Sequence, residues 1–354
     1  MSRIRIIITI IVVVLTTLLT GCTGKEPNEI AYVVALGIDS TDDDNYKITI
    51  QYANTTQISG GASESGGKAG SEIVDNVTIE APNIYAGVGL ANNIVSKSFS
   101  MSHAKLIVFS KEVAEKGVKD MIETLVRSEE IRPDVFIAVA NTTANDYLTS
   151  VNPEMEVNPA QYYQLIYQKN QLVGIPDGQL REFFTGLYTD NYDSILPVAG
   201  VIEGSGGNSQ NDDKGQSKDS QNEGSEGSSE SLDSFESKNS DENEKEKDAE
   251  KNTSKYEYDI KNYVGGETAI EKKNKAEAIG AAVFEKDKMV GELGEVETEI
   301  CKMLKGDYTY SYLTYYNNDT PDIPITVKTT QQKKPKYKID TDKKTVDIEL
   351  YIES

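Results

Sequence analysis

Between Gly204 and Lys255 the chain carries fourteen Asp and Glu against seven Lys, and Leu232 and Phe235 are its only large aliphatic or phenyl side chains. A segment of that composition cannot bury enough apolar area to offset the entropy of ordering it. Its excess of one charge also makes it repel itself, so the sequence predicts a disordered acidic linker over 204–255. What folds must then lie on either side of it: an N-terminal mixed α/β region within 22–203, with room for two subdomains, and a C-terminal α/β domain from 256 to 354. The shorter glycine- and serine-rich stretch 58–72 reads as a flexible loop for the same reason.

In the first part, "EIAYVVALGID" and "YKITIQYANTT" are β-branched and flank the turn-forming "STDDDN", which predicts a hairpin. "NIYAGVGLANNIVSK" has helical spacing, "AKLIVFS" is a continuous apolar run suited to a buried strand, "KEVAEKGVKDMIETLVRSEEI" reads as a helix and "DVFIAVAN" as a strand. "NPAQYYQLIYQKNQ" and "DGQLREFFTGLYTD" predict two helices, each behind a capping Asn or Asp. In the second part, "AIGAAVFEKDKMVGEL" has the pattern of a hairpin. A helix containing Cys301 follows, with Val296, Ile300, Met303 and Leu304 at helical spacing, and then "YTYSYLTYY", "IPITVKTT", "KYKID" and "TVDIELYIE" read as strands. The fold class this implies is α+β, with mixed α/β domains, largely antiparallel sheets and more than one domain.

The N-terminus places Arg3 and Arg5 before an apolar run from Ile6 to Thr20. That is short of the roughly 20 apolar residues that span about 30 Å of hydrocarbon. A basic start, an apolar middle and a small-residue end make residues 1–21 a signal peptide. "LLTGC" resembles the bacterial lipobox, which makes Cys22 the lipid attachment site; an uncleaved anchor is the plainer alternative. The net charge of −22 would repel anionic headgroups and excludes binding nucleic acid by phosphate neutralisation, so lipid is what would hold the chain at a bilayer. With Cys22 lipidated, Cys301 has no partner within the chain, and a buried structural thiol is its expected role.

Motifs for catalysis are scarce. His103 is the only histidine, which rules out a two-His metal site or a metalloprotease signature, and its place before a buried strand predicts a structural hydrogen bond. No G-x-S-x-G elbow is present, and "GVGLAN" lacks both the third glycine and the preceding strand of a dinucleotide site. Asp42, Asp43 and Asp44 depart from a calcium loop and read as a solvated turn. Tyr308, Tyr310 and Tyr312 fall on one face of a strand. Lys333, Lys334, Lys336 and Lys338 beside Pro335 read as protection of an edge strand. The residues point to no enzyme, no cofactor and no metal.

"SKSFSMSHAKLIVFSKEVAEKGVKDMIETLVRSEEIRPDVFIAVANTTANDYL" resembles the Ger(x)C family of spore germination C-subunit lipoproteins. His103 and Lys105 before the apolar strand, Gly117 at the helix centre, Arg127, the run Glu130-Ile131-Arg132, and Ala144 with Leu148 carry the likeness. "AYVVALGID", "LREFFTGLYTDNYDSILPVAGV" and "AIGAAVFEKDKMVGEL" are similar to other segments of that family. Thr23-Gly24 stands where the family has Trp-Asp after the lipid-bearing Cys, the acidic segment is longer than usual, and the family's C-terminal domain continues past Ser354. The resemblance implies a non-enzymatic subunit of a nutrient germinant receptor, with three mixed α/β domains. It would be lipid-anchored to the outer face of the cytoplasmic membrane, which in spores is the inner spore membrane, beside integral membrane subunits as partners. A solute-binding lipoprotein serving a transporter is the alternative of a different class; the unequal size of the two parts counts against it.

Limited proteolysis tests the linker. Cleavage should fall first within 204–255 and leave two resistant fragments, whereas a first cut elsewhere would mean that the acidic segment packs.

Overall fold

The computed structural model describes residues 3–10, 29–53, 74–151, 159–168, 174–202, 262–268, 274–317 and 320–354. Cys22, the 58–72 loop and the acidic 204–255 segment lie outside the described residues. Residues 3–10 are helical. The first predicted hairpin is β1 (Ile30–Ser40) paired antiparallel with β2 (Tyr46–Ala53). Asp42, Asp43 and Asp44 are exposed in its turn, where the Thr41 hydroxyl donates to the Asp43 and Asn45 carbonyls at 3.0 and 2.8 Å. This is a solvated turn stabilised from within.

β3 (Val74–Ala81) extends this hairpin antiparallel, and α1 (Ile84–Ala91) begins at Asn83, whose side-chain oxygen accepts from the Ala86 amide. β4 (Ser98–Ser100) and β5 (Leu106–Ser110) run parallel to β1. Then come α2 (Lys111–Lys116), α3 (Lys119–Val126), β6 (Phe136–Ala140), α4 (Ala144–Ser150), α5 (Pro159–Gln168), α6 (Leu180–Tyr188) and β7 (Ile195–Val201). After the acidic segment the chain forms β8 (Ala276–Glu285), β9 (Lys288–Leu293), α7 (Glu295–Lys305), β10 (Tyr310–Asn317), β11 (Thr320–Asp340) and β12 (Thr345–Glu353). The first sheet has the order β3-β2-β1-β5-β6-β7-β8-β9, with β4 beside β1; the second has the order β10-β11-β12. The fold is mixed α/β with two sheets. Parallel strands fill the middle of the first, and antiparallel pairs form its flanks and all of the second.

The hairpin β8–β9 was grouped by sequence with the C-terminal part, yet β8 pairs antiparallel with β7 and completes the first sheet. The acidic segment therefore interrupts one sheet between neighbouring strands. Both faces of that sheet are covered. Along β5, Ile107 and Phe109 join the apolar cluster formed with α1, α2, α3 and α6, while Leu106 and Val108 face the one formed with α4 and α5. That is why "LIVF" shows no polar alternation. In β1 the alternation slips between Val33 and Ala35, where a bulge sets Val34 and Ala35 on the same face.

The helix read across 111–131 is two helices. Gly117 ends α2 with φ +120°, and the next amide, Val118, donates to the Asp287 carbonyl of the β8–β9 turn at 3.0 Å. A Cβ at Gly117 would meet the Asp287 carboxylate, so a glycine is needed for both its φ and its space. Gly117 is thus a helix terminus and not a helix centre, and Glu130-Ile131-Arg132 lies beyond the end of α3. The capping expected at α6 also differs. Gln179 holds the N-cap without a side-chain bond, and Asp177 instead accepts from the Gln179 amide at 3.2 Å. The cap expected at α5 lies outside the described residues.

The joint between β1 and α4 is made by "GID". A Cβ at Gly37 would come within 3.1 Å of Ala144 Cβ and Leu148 Cδ1, so glycine lets the helix lie against the strand. Two residues on, the buried Asp39 carboxylate accepts from the Ala144 amide at 2.6 Å and the Asn145 amide at 3.1 Å, satisfying two of the orphan donors at the start of α4. Beneath α4 lies a ring of buried tyrosines. Tyr147 and Tyr167 share a hydroxyl–hydroxyl bond at 3.0 Å, Tyr163 donates to Gln51 Oε1 at 2.5 Å, and Gln51 Nε2 donates to the Leu148 carbonyl at 2.9 Å. Buried hydroxyls are tolerated here because each has a partner.

Asp39→Ala should lower the unfolding free energy by about 2–3 kcal/mol, because two buried amides lose a charged acceptor. Asp39→Asn, which keeps one acceptor oxygen, should lose less. Urea unfolding measures both, and equal, negligible losses would mean that α4 is held elsewhere.

Candidate functional site

The helix α7 packs against the first sheet with a polar face. Its buried residues are Thr298, Glu299, Lys302 and Met303, while Ile300 is 48% exposed and Cys301 is half-buried. The expected apolar stripe through Val296, Ile300, Met303 and Leu304 is therefore rotated, and Cys301 is not the buried thiol expected of it. The polar residues have partners. The Glu299 carboxylate accepts from the Ser311 hydroxyl at 2.5 Å, and Lys302 Nζ donates to the Ile175 carbonyl at 3.0 Å. Burial pushes the Glu299 carboxyl above its ordinary range. Burial also lowers the Lys302 ammonium to about 8, against the pull of Glu299, Asp307 and Asp177.

Beside Lys302 a cleft of about 490 Å³ opens where the two sheets meet. One wall comes from the loop and helix before β7, with Asp177, Glu182, Phe183 and Tyr192; the other comes from the end of α7 and the approach to β10, with Lys302, Lys305, Asp307 and Tyr308. Gly306, in the left-handed conformation at φ +78°, ends α7 and turns the chain along the rim. Lys305 Nζ sits 5.1 Å from the centroid of the Tyr192 ring, joining the walls by a cation–π contact. Tyr308 is buried behind the rim, its hydroxyl 2.5 Å from that of Thr329. Nothing in "EICKMLKG" marks Lys302 as buried, since lysine on a helix is ordinarily a surface residue.

The residues singled out in the sequence do not converge on this cleft. Cys22 lies outside the described residues. His103 is exposed, with Nδ1 3.0 Å from the Ser102 hydroxyl and its ring edge-on to Tyr32 at 4.8 Å. Arg127 pairs with Glu123 at 2.7 Å, and Arg132 with Asp134 at 3.0 Å. Glu130 accepts from the Met101 amide at 2.9 Å and so ties the end of α3 to the strand before it. Tyr312 is exposed, Tyr310 lies under Lys328 at 4.6 Å, and Tyr308 precedes β10. Lys333 and Lys336 lie over the Tyr351 ring at 5.6 and 5.2 Å, on the half of β11 that pairs with β12 alone. The interleaved dyad "GVG" is inside α1. Among the described residues, no group of three or more His, Cys, Asp or Glu is arranged to hold a metal.

Comparison with known proteins supplies what these side chains do not. Residues 24–201 match the family of the spore germination protein N-terminal domain, and residues 279–354 match the spore germination B3/GerAC-like C-terminal family. This chain belongs to the Ger(x)C family of spore germination proteins. Spore germination protein KC of Bacillus subtilis (strain 168) is 26% identical over 176 residues, covering 46% of this chain and 43% of its own length. The putative spore germination protein YfkR of the same organism is 28% identical over 145 residues, covering 41% and 37%. The chain thus spans less than half the length of these curated relatives. A crystal structure of the GerBC protein aligns over 86% of this chain and 64% of that one, with a TM-score of 0.35 and 16% identity. Likeness of that grade leaves the description of the Ger(x)C fold here resting on this chain's own strands. The N-terminal family match ends at Val201, the last residue of β7, and the C-terminal match resumes within β8, so the acidic segment falls between the two matched regions.

The depressed Lys302 predicts a pH dependence. In the unfolded chain the ammonium keeps its proton to about 10.5, whereas in the fold it loses it near 8. The unfolded state then binds more protons between those values, so stability contributed by this group rises with pH across that window. Chemical denaturation of the wild type and Lys302→Met should differ by about 2 kcal/mol less at pH 10 than at pH 7. A difference that does not change with pH would show that the ammonium is well solvated.

Proposed function

We propose that this chain is the lipid-anchored C subunit of a nutrient germinant receptor, acting in spore germination by assembling with integral membrane subunits. The observation that carries the reading is the pair of family matches, in order and taking in most of the chain. The sequence motif "LLTGC" behind a basic, apolar leader supports removal of residues 1–21 and lipidation at Cys22. Among the described residues no helix is long and apolar enough to cross a membrane. A diacylglyceryl group, with two chains, is the attachment that suffices for stable binding, since one chain binds only marginally. The proposed site of action is the outer face of the cytoplasmic membrane, the inner membrane of the spore. The role is that of a binding subunit and not of an enzyme, in keeping with a lone histidine that is engaged with Ser102 and Tyr32.

Fractionation and mass spectrometry test the anchor. The mature protein should begin at a lipid-modified Cys22 and sediment with membranes, and Cys22→Ala should appear in the soluble fraction. A chain that retains residues 1–21, or an unmodified Cys22, would overturn this part of the reading. Deletion of the gene should abolish the response of spores to at least one nutrient, and restoring the wild-type chain should recover it.

A further inference from the structure

The cleft between α6 and the end of α7 has its charges sorted by wall. Asp177 and Glu182 are exposed carboxylates on one side, whereas Lys302 and Lys305 bring ammonium groups to the other, with Asp307 beside Lys302. Phe183, Leu196 and Tyr308 give it a buried apolar lining, and the Ser194 side chain adds a hydroxyl. A volume of about 490 Å³ is within the roughly 300–1,000 Å³ of small-molecule sites.

We propose that this cleft binds a small zwitterion of the α-amino-acid class, its ammonium against Asp177 and Glu182 and its carboxylate against Lys305 and Lys302. A simple anion entering the cleft would face three carboxylates, and a simple cation would face two ammonium groups. A zwitterion offers each wall the opposite charge, and charge-assisted hydrogen bonds are the strong ones in such sites. Overall charge points the same way. A chain at −22 repels small anions at long range, whereas a zwitterion carries no net charge to repel. The walls belong to elements on opposite sides of the acidic segment in sequence, so a ligand touching both would strengthen the link now made by Lys305 over Tyr192 and by Lys302 to Ile175. The proposal rests on this geometry and is independent of the germination reading.

Calorimetry and thermal shift on the full chain in detergent test it, with L-valine, L-asparagine and L-phenylalanine as probes and acetate and ethylammonium as half-ligands. At least one of the three amino acids should bind saturably at one site and raise the melting temperature, while neither half-ligand does so at the same concentration. Lys305→Gln and Glu182→Gln alter exposed side chains, so both variants should melt as the wild type does. Each should weaken binding of that amino acid at least about tenfold through loss of a charge-assisted contact. The proposal is overturned if none of the three amino acids binds, if a half-ligand binds as tightly, or if both variants keep wild-type affinity.

Discussion

The Asp39 carboxylate, buried at the end of the central strand and bonded to the first two amides of α4, is the contact on which most of the first sheet's organisation converges. A charged acceptor inside a protein is costly unless its oxygens are engaged, and orphan amides at a helix start need acceptors. Each removes the other's penalty. With Gly37 allowing close approach, the pair fixes where α4 lies on β1. Asn145, one of the bonded residues, also donates from its side chain to Thr49 and Thr78, so the same joint reaches across β2 to β3. The tyrosine network under α4 and the covering of the second face by α5 follow from that placement.

The junction between the two sheets is built differently. There α7 turns Thr298, Glu299 and Lys302 inward, and each charged group meets a defined partner: Ser311 for Glu299 and the Ile175 carbonyl for Lys302. A polar interface of this kind gains less from burial than an apolar one, but it tolerates few alternative alignments, since any shift leaves a buried charge without its bond. The same arrangement leaves charged side chains from both sides along one open cleft. Structural polarity and the capacity to hold a polar ligand therefore have a common origin in the orientation of α7.

The family assignment and the fold answer different questions. The matched regions identify a spore germination protein, while the Ger(x)C residues that carried the resemblance turn out to hold the scaffold together: Gly37 and Asp39 seat α4, Gly117 admits the β8–β9 turn, and Glu130 caps the Met101 amide. Residues shared for such reasons report on a common fold and not on a reaction. That fits a subunit whose work is done by surfaces.

Much of the local structure was legible in the sequence because it depends on neighbours along the chain. The β1–β2 hairpin needed only β-branched runs and a turn, and β5 only a continuous apolar stretch. The lipobox and the composition of the acidic segment were likewise readable as chemistry, although both lie outside the described residues. What the sequence could not supply were contacts between residues far apart in it. The break at Gly117 is imposed by Asp287, the pairing of β8 with β7 spans the acidic segment, and the face that α7 buries is chosen by Ile175 and Ser311. Helical periodicity ranks faces by hydrophobicity, so it favoured Ile300 over Lys302; tertiary hydrogen bonds reversed that order by giving the buried lysine and glutamate partners.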